Sequence, residues 1–257
     1  MILRRLQSHL MGKTVKRDYG ERFYRKRVAA QGLVSFQVTV KETDLWISAE
    51  ENLESEARDL VLSSRHQLEG YIGSHPDFLT ALGPYPQDPF APPVVKEMIE
   101  CTRRVGVGPM AAVAGAVAQH VVLGLLKRTG QVIVENGGDI CARADRPLTV
   151  SIFAGQSPLS DRIGLQVSAK DHPLGICSSS GTVGHSLSLG VADLACIVSP
   201  SAVLADGAAT ALCNRIQGKK DLNGIGSWAE GINGILGALV ILGDRLATWG
   251  QIELVAL

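Results

Sequence analysis

Ala192-Asp-Leu-Ala-Cys-Ile-Val-Ser-Pro-Ser-Ala-Val-Leu-Ala-Asp206-Gly-Ala-Ala-Thr210-Ala-Leu212 passes from an apolar strand into a helix of small residues. Leu194 to Val198 reads as a buried strand. Ser199-Pro200 then reads as a helix start, with a hydroxyl cap and proline in the first turn. The helix predicted over 200–216 carries Asp206 and Thr210 among alanine and glycine. Residues four apart lie one above the other on a helix, so both side chains share a face. A carboxylate beside a hydroxyl offers two hard oxygens, the kind a magnesium ion takes. The alternative is local: Thr210 bonds back to the Asp206 carbonyl while the carboxylate caps or pairs elsewhere.

Upstream of this junction, alternation and turn residues predict strands over 131–135, 148–153, 164–169 and 176–178. Downstream, the glycine-rich stretch 221–257 predicts a short helix around Trp228 and Ile232. A hairpin of 238–242 with 251–254 follows it. The first half has the same rhythm. Strands over 23–30, 33–41 and 43–48 lead into an amphipathic helix over 50–71, a proline- and glycine-rich loop or lid over 73–93, and helices over 93–104 and 109–128. These elements imply an α+β fold of antiparallel sheets and long packed helices. One domain is expected over 23–257, built as two intimate halves (about 23–130 and 131–257), preceded by a basic segment over 1–22.

The 257 residues include 25 basic and 25 acidic side chains, so the balanced charge implies no nucleic-acid partner. Within the basic start, Gln7, Ser8, His9, Gly12 and Lys13 interrupt any secretory apolar core. The longest apolar run, 109–126, contains Gln119 and His120 and reads as a buried helix rather than a membrane span. Cys101, Cys141, Cys177, Cys196 and Cys213 are odd in number and form no CxxC pair. Thiols in a reducing, cytoplasmic compartment are the expectation.

Three further segments could carry chemistry. Gly106-Val-Gly108-Pro-Met-Ala111 leads into a helix, where free backbone N–H groups favour phosphate, although the same glycines suit a tight turn. Asn136-Gly-Gly-Asp139 after a strand is a hairpin signal, and its glycines equally let a ligand approach the backbone. Cys177-Ser-Ser-Ser180-Gly181-Thr-Val-Gly-His185 supplies hydroxyls and N–H groups for phosphate or ribose oxygens, and Ser180 with His185 could form a nucleophile pair.

Gly108-Pro-Met-Ala111, Gly137-Gly138-Asp139, Ser180-Gly181 and Ala205-Asp-Gly-Ala-Ala-Thr210-Ala, in that order, resemble the ApbE family of flavin transferases, which move FMN from FAD onto a protein threonine. The resemblance implies duplicated T-fold-like halves. It implies Asp206, Thr210 and the backbone carbonyl of Ala111 as Mg²⁺ ligands. Gly108, Gly137, Gly138, Asp139, Ser180 and Gly181 would line a flavin-nucleotide site, with Asp206 and His185 as the candidate catalytic residues. Magnesium held there would bridge pyrophosphate oxygens and neutralise charge as a P–O bond breaks. Ala112 stands where the family carries lysine, and His185 is followed by Ser-Leu-Ser-Leu-Gly190 rather than by Asp-Pro.

Three readings follow. The first is a Mg²⁺-dependent protein that acts on FAD as a transferase or pyrophosphatase. The second is a non-catalytic flavin or nucleotide binder, and the third a hydrolase of another phosphorylated metabolite using Ser180 and His185. The expected partner is a small nucleotide or flavin. A homo-oligomer is compatible with glycine-rich C-terminal strands that can pair with another subunit.

Overall fold

A computed structural model describes residues 32–182 and 188–257. The strand expected over 23–30 and the candidate His185 lie outside the described residues. Eleven strands and six helices are described, and the mixture is α+β as expected. The strands are β1 (Val34–Val40), β2 (Thr43–Ala49), β3 (Val132–Asn136), β4 (Asp139–Arg143), β5 (Leu148–Ser151), β6 (Ile163–Val167), β7 (Leu174–Ser179), β8 (Leu194–Ser199), β9 (Gly237–Leu242), β10 (Arg245–Gly250) and β11 (Glu253–Ala256). The helices are α1 (Glu54–Ser74), α2 (Pro76–Thr80), α3 (Pro93–Val105), α4 (Val113–Leu125), α5 (Ala202–Arg215) and α6 (Ile225–Glu230).

Eight strands form one sheet in the order β1-β2-β3-β4-β7-β8-β9-β10, and every neighbouring pair is antiparallel. The small sheet β11-β6-β5 covers part of one face. Successive side chains on a strand point to opposite faces, and the core divides accordingly. Val134, Cys141, Cys177, Ala195 and Ile197 pack under the helices. Ile140, Ile176, Cys196 and Val198 pack with Leu165 and Val167 of the small sheet. Central β8 is therefore buried along its whole length, which is why it reads as an unbroken apolar run.

Helix α1 buries Ala57, Val61, Ser64, Leu68 and Tyr71, the stripe its periodicity predicts. Helix α4 contributes the centre of the helical layer, with Ala116, Ala118, Val121 and Val122 buried. This accounts for the apolar run over 109–126. Among the described residues no single helix is long and apolar enough to cross a membrane.

Several boundaries differ from expectation. Residues 109–112 form a 3-10 turn before α4 begins. Ser201 rather than Ser199 caps α5, its Oγ accepting the Leu204 N–H at 3.2 Å, while Ser199 Oγ accepts the Ser201 N–H at 3.1 Å. Strand β4 is an addition, because its five residues directly follow the Gly137-Gly138 turn. The C-terminal hairpin is β9 with β10, joined through Gly243 at φ 62°, and not 238–242 with 251–254. Strand β11 instead crosses to β6. The crossing happens at Gly250 (φ 75°), where a Cβ would stand 2.2 Å from the Leu236 carbonyl oxygen.

The expected 73–93 loop contains α2, whose Phe78 is fully buried. Phe78 meets Tyr71 and Tyr85 edge-on, each with ring centroids 5.2 Å apart. The phenols turn back into the loop: Tyr71 donates to Asp88 Oδ2 at 3.0 Å and Tyr85 to Asp77 Oδ1 at 2.9 Å. Burial, with Asp88 beside it, pushes the Tyr71 phenol up to about 12. The segment is thus an ordered flap with its own aromatic anchor. Phe78→Ala is expected to cost about 3–5 kcal/mol, the usual loss for a buried aromatic, measured by urea unfolding.

Candidate functional site

Helices α4 and α5 touch at backbone distance because of one glycine. A Cβ on Gly115 would lie 2.3 Å from the Ala202 carbonyl oxygen and 2.8 Å from Asp206 Cβ. Across that contact the Gly115 N–H donates to Asp206 Oδ2 at 2.8 Å, and the Ala114 N–H also serves the carboxylate. The first N–H groups of a helix have no acceptor within it. Asp206 therefore caps α4 from the neighbouring helix.

The β3–β4 hairpin reaches the same place. Asn136 donates from Nδ2 to the Ala114 carbonyl at 3.0 Å. Gly137 and Gly138 have φ of 68° and 108°, the positive values that a primed two-residue hairpin turn demands. Asp139 then opens β4 on the helix-covered face, and its Oδ1 accepts the Ser178 N–H from β7 at 3.1 Å.

Asp139 and Asp206 consequently lie within electrostatic reach of one another, 8% and 7% exposed. Among the described residues neither has an ion-pair partner. Burial pushes Asp139 up to about 7, and Glu135 adds to the rise against the Ser178 N–H. Burial also holds Asp206 well above the usual carboxylate range, reinforced by Asp139 and opposed by the Gly115 and Ala114 N–H groups. Burial and a like charge favour the same outcome, a proton retained on the pair.

The pH consequence has a definite sign. An acid whose folded pKa exceeds its unfolded value near 3.9 binds more protons in the native state, so it contributes stability at low pH that is lost as pH rises through the folded pKa. Metal-free protein is thus expected to lose thermal stability as pH rises from about 4 through 7. Asp139→Asn should flatten that dependence in thermal melts, and an unchanged slope would count against the shared carboxylate environment.

The remaining candidates lie on α5, on the turn ahead of α4 and just beyond β7. Thr210 sits one turn beyond Asp206 on α5 and is half-buried. Ala111 lies in the 3-10 turn ahead of α4, its N–H donating to the Gly108 carbonyl at 3.1 Å. The Gly108 N–H is itself engaged by the Leu82 carbonyl at 2.9 Å, and a Cβ there would stand 1.7 Å from the Ala81 oxygen. Gly108 thus lets the flap dock. Ser180 accepts the Thr182 N–H at 3.1 Å. The Gly181 N–H donates to Ala192 at 2.9 Å, and a Cβ on Gly181 would meet the Gly190 oxygen at 2.0 Å. Ala114 and Gly115 join the cluster from inside the apolar run, where only two small residues in a hydrophobic helix hint at them. A separate open cleft of about 350 Å³, lined by Gln166, Leu174, Val198 and Ile252, lies toward the small sheet.

Known proteins share this architecture and sequence. The family model described as AbpE bacteria matches residues 25–225. A UPF0280 protein of Methanocella arvoryzae is 39% identical over 214 residues, covering 83% of this chain and 87% of the relative. A UPF0280 protein of Methanococcoides burtonii is 41% identical over 216 residues, covering 83% and 91%. Among solved structures, the flavin transferase ApbE from Vibrio cholerae aligns with TM-score 0.56 at 14% identity, covering 87% of this chain and 96% of that one. The apo flavinyl transferase ApbE of Pseudomonas stutzeri aligns with TM-score 0.51 at 12% identity, covering 84% and 93%. At such identities the structural likeness speaks for the fold, whereas the family match and the UPF0280 relatives speak for descent. By the family match and those relatives the chain belongs to the ApbE-like family.

Proposed function

We propose that this protein binds FAD or a closely related flavin nucleotide together with Mg²⁺, and acts across its pyrophosphate as a transferase or pyrophosphatase. The observation that carries this reading is the buried Asp139–Asp206 pair at the start of α4, which has no ion-pair partner among the described residues. Two buried hard-oxygen carboxylates suit a divalent cation. No group of three or more His, Cys, Asp or Glu gathers among the described residues. That suits magnesium, which takes one or two protein carboxylates and fills its remaining positions with water and substrate phosphate. Asp206, Thr210 and the Ala111 carbonyl would hold it, with Asp139 supplying the second negative charge within electrostatic reach. When bound, it would supply charge neutralisation at the pyrophosphate oxygens.

This chain's own residues do the rest. The N–H groups of Ala114 and Gly115 orient Asp206, and Asn136 ties the hairpin to the same turn. Gly137 and Gly138 leave space for a ligand, since a Cβ at either meets nothing within 4 Å. The five buried cysteines, all free, fit the cytoplasmic placement that belongs to this reading.

The test is incubation of purified protein with FAD and MgCl₂, followed by chromatography of nucleotides. Release of AMP or FMN that EDTA abolishes is the expected result. Saturable FAD binding without turnover would instead support a non-catalytic binder. Neither binding nor turnover would sink the flavin assignment.

A further inference from the structure

Gln119 is the one amide on the buried side of α4, and it is 9% exposed. Its Oε1 accepts the N–H of Ala202, the first residue of α5, at 2.7 Å. Its Nε2 donates to Glu97 Oε1 on α3. The two partners fix the amide orientation, because an N–H needs the oxygen and a carboxylate needs the nitrogen. This contact mirrors the one at Asp206. Helix α5 caps α4 through Asp206 and Gly115, while α4 caps α5 through Gln119 and Ala202. Gly115 and Gln119 are one turn apart, as are Ala202 and Asp206. The two helices thus hold each other by a reciprocal pair of end caps, tightened by the close approach at Gly115.

We propose that Gln119, held by Glu97, is a positioning residue that sets the Asp206 carboxylate in place for cation binding. The inference rests on the reading of Asp206 as a cation ligand. The side chain of Gln119 bonds Ala202 and Glu97 rather than any of the proposed cation ligands. It fixes the first residue of α5, and Asp206 follows one turn later on the same rigid helix. Groups hydrogen-bonded directly to a metal ligand typically change metal affinity by about 10–100-fold when removed; Gln119 acts one turn further away, so the lower end, about 10-fold, is expected.

The test uses full-length protein with Mn²⁺ as a paramagnetic substitute for Mg²⁺, its affinity read by electron paramagnetic resonance. The Gly115 amide signal in ¹H–¹⁵N spectra reports separately on the Asp206 hydrogen bond, and melts establish folding. Gln119→Leu removes both polar contacts, and Gln119→Glu sets a carboxylate against Glu97. Each is expected to weaken Mn²⁺ binding by about 10-fold and to move the Gly115 signal. The combined exchange, Glu97→Gln with Gln119→Glu, restores a donor facing an acceptor and leaves an oxygen for the Ala202 N–H. It should return Mn²⁺ affinity to within about threefold of wild type, as expected for a directly coupled pair.

Folded single variants with unchanged Mn²⁺ affinity and an unmoved Gly115 signal would overturn the proposal. So would an exchange variant that folds without restoring either readout, or one that fails to fold. If a single variant does not fold, recovery in the exchange variant still supports it. Should wild-type protein bind no Mn²⁺, the cation reading fails on its own, and the Gly115 signal across the variants decides the positioning role alone.

Discussion

On the proposed reading, Asp206→Asn should lower Mg²⁺-dependent turnover of FAD by on the order of 10²–10³ while leaving the protein as stable as before, or more so. The asparagine oxygen can still accept the Gly115 N–H that Asp206 Oδ2 accepts at 2.8 Å, so the cap on α4 survives. What disappears is the second titratable carboxyl of the buried pair, and with it the repulsion that Asp139 exerts on an ionised Asp206. Relief of that repulsion is expected to raise the metal-free melting temperature at pH 8 by a few degrees, on the order of 1 kcal/mol. Loss of an anionic cation ligand should lower kcat/KM by on the order of 10²–10³, equivalent to about 3–4 kcal/mol of transition-state stabilisation. Activity and stability thus move in opposite directions, as when function requires a costly arrangement of charge. Asp206→Ala removes the acceptor as well and leaves a buried N–H unpaired, costing about 1–3 kcal/mol. Comparing the two variants separates the capping role from the charge. If Asp206→Asn turned over FAD at the wild-type rate, Asp206 would have no part in holding a cation.

Gly115→Ala should be the most damaging single methyl in the helical layer. The added carbon would sit 2.3 Å from the Ala202 oxygen and 2.8 Å from Asp206 Cβ, and the oxygen belongs to a backbone that cannot swing aside. Helices α4 and α5 must separate, with loss of the Asp206 cap and the packing around it, at a cost of about 3 kcal/mol or more. Gly124→Ala, two and a half turns along the same helix, supplies the control. The three atoms nearest its methyl all belong to the Leu60 side chain, from 2.5 Å, and that side chain can rotate away. The intrinsic helix preference for alanine, about 1 kcal/mol, offsets much of that adjustment. Equal denaturation midpoints for the two variants would mean that the close approach at Gly115 is not a constraint.

Elements with a clear burial pattern were legible in the residues. The α1 stripe has the helical period of one buried face, and β8, buried on both faces, is an unbroken apolar run. Strand β10 was not legible, because it is an edge with mostly exposed side chains, and alternation weakens where one face has little to bury. The destination of β11 also escaped, since partner choice in a sheet depends on where Gly250 redirects the chain. At the site, Asp206 and Asp139 stood out by composition and by the company of glycines. That Asp139 comes within electrostatic reach of Asp206 was not readable, because the hairpin and α5 are far apart in sequence and meet only through the tertiary fold. Gln119 was visible as a polar residue in an apolar helix, but its partners on α3 and α5 required the packing to be seen.

The route taken by β11 has a consequence in time. Strands β5 and β6 follow β4 directly, yet their third partner arrives only after β7, β8, α5, β9 and β10 have been made. A two-stranded ribbon alone is marginal in water. Until β11 docks, the apolar face around Ile176, Cys196 and Val198 therefore has only that ribbon to cover it. Closing this sheet is a long-range event, the kind that sets the pace of folding. On a ribosome the helical side, with the carboxylate pair, can consolidate while the opposite face still waits for its last strand.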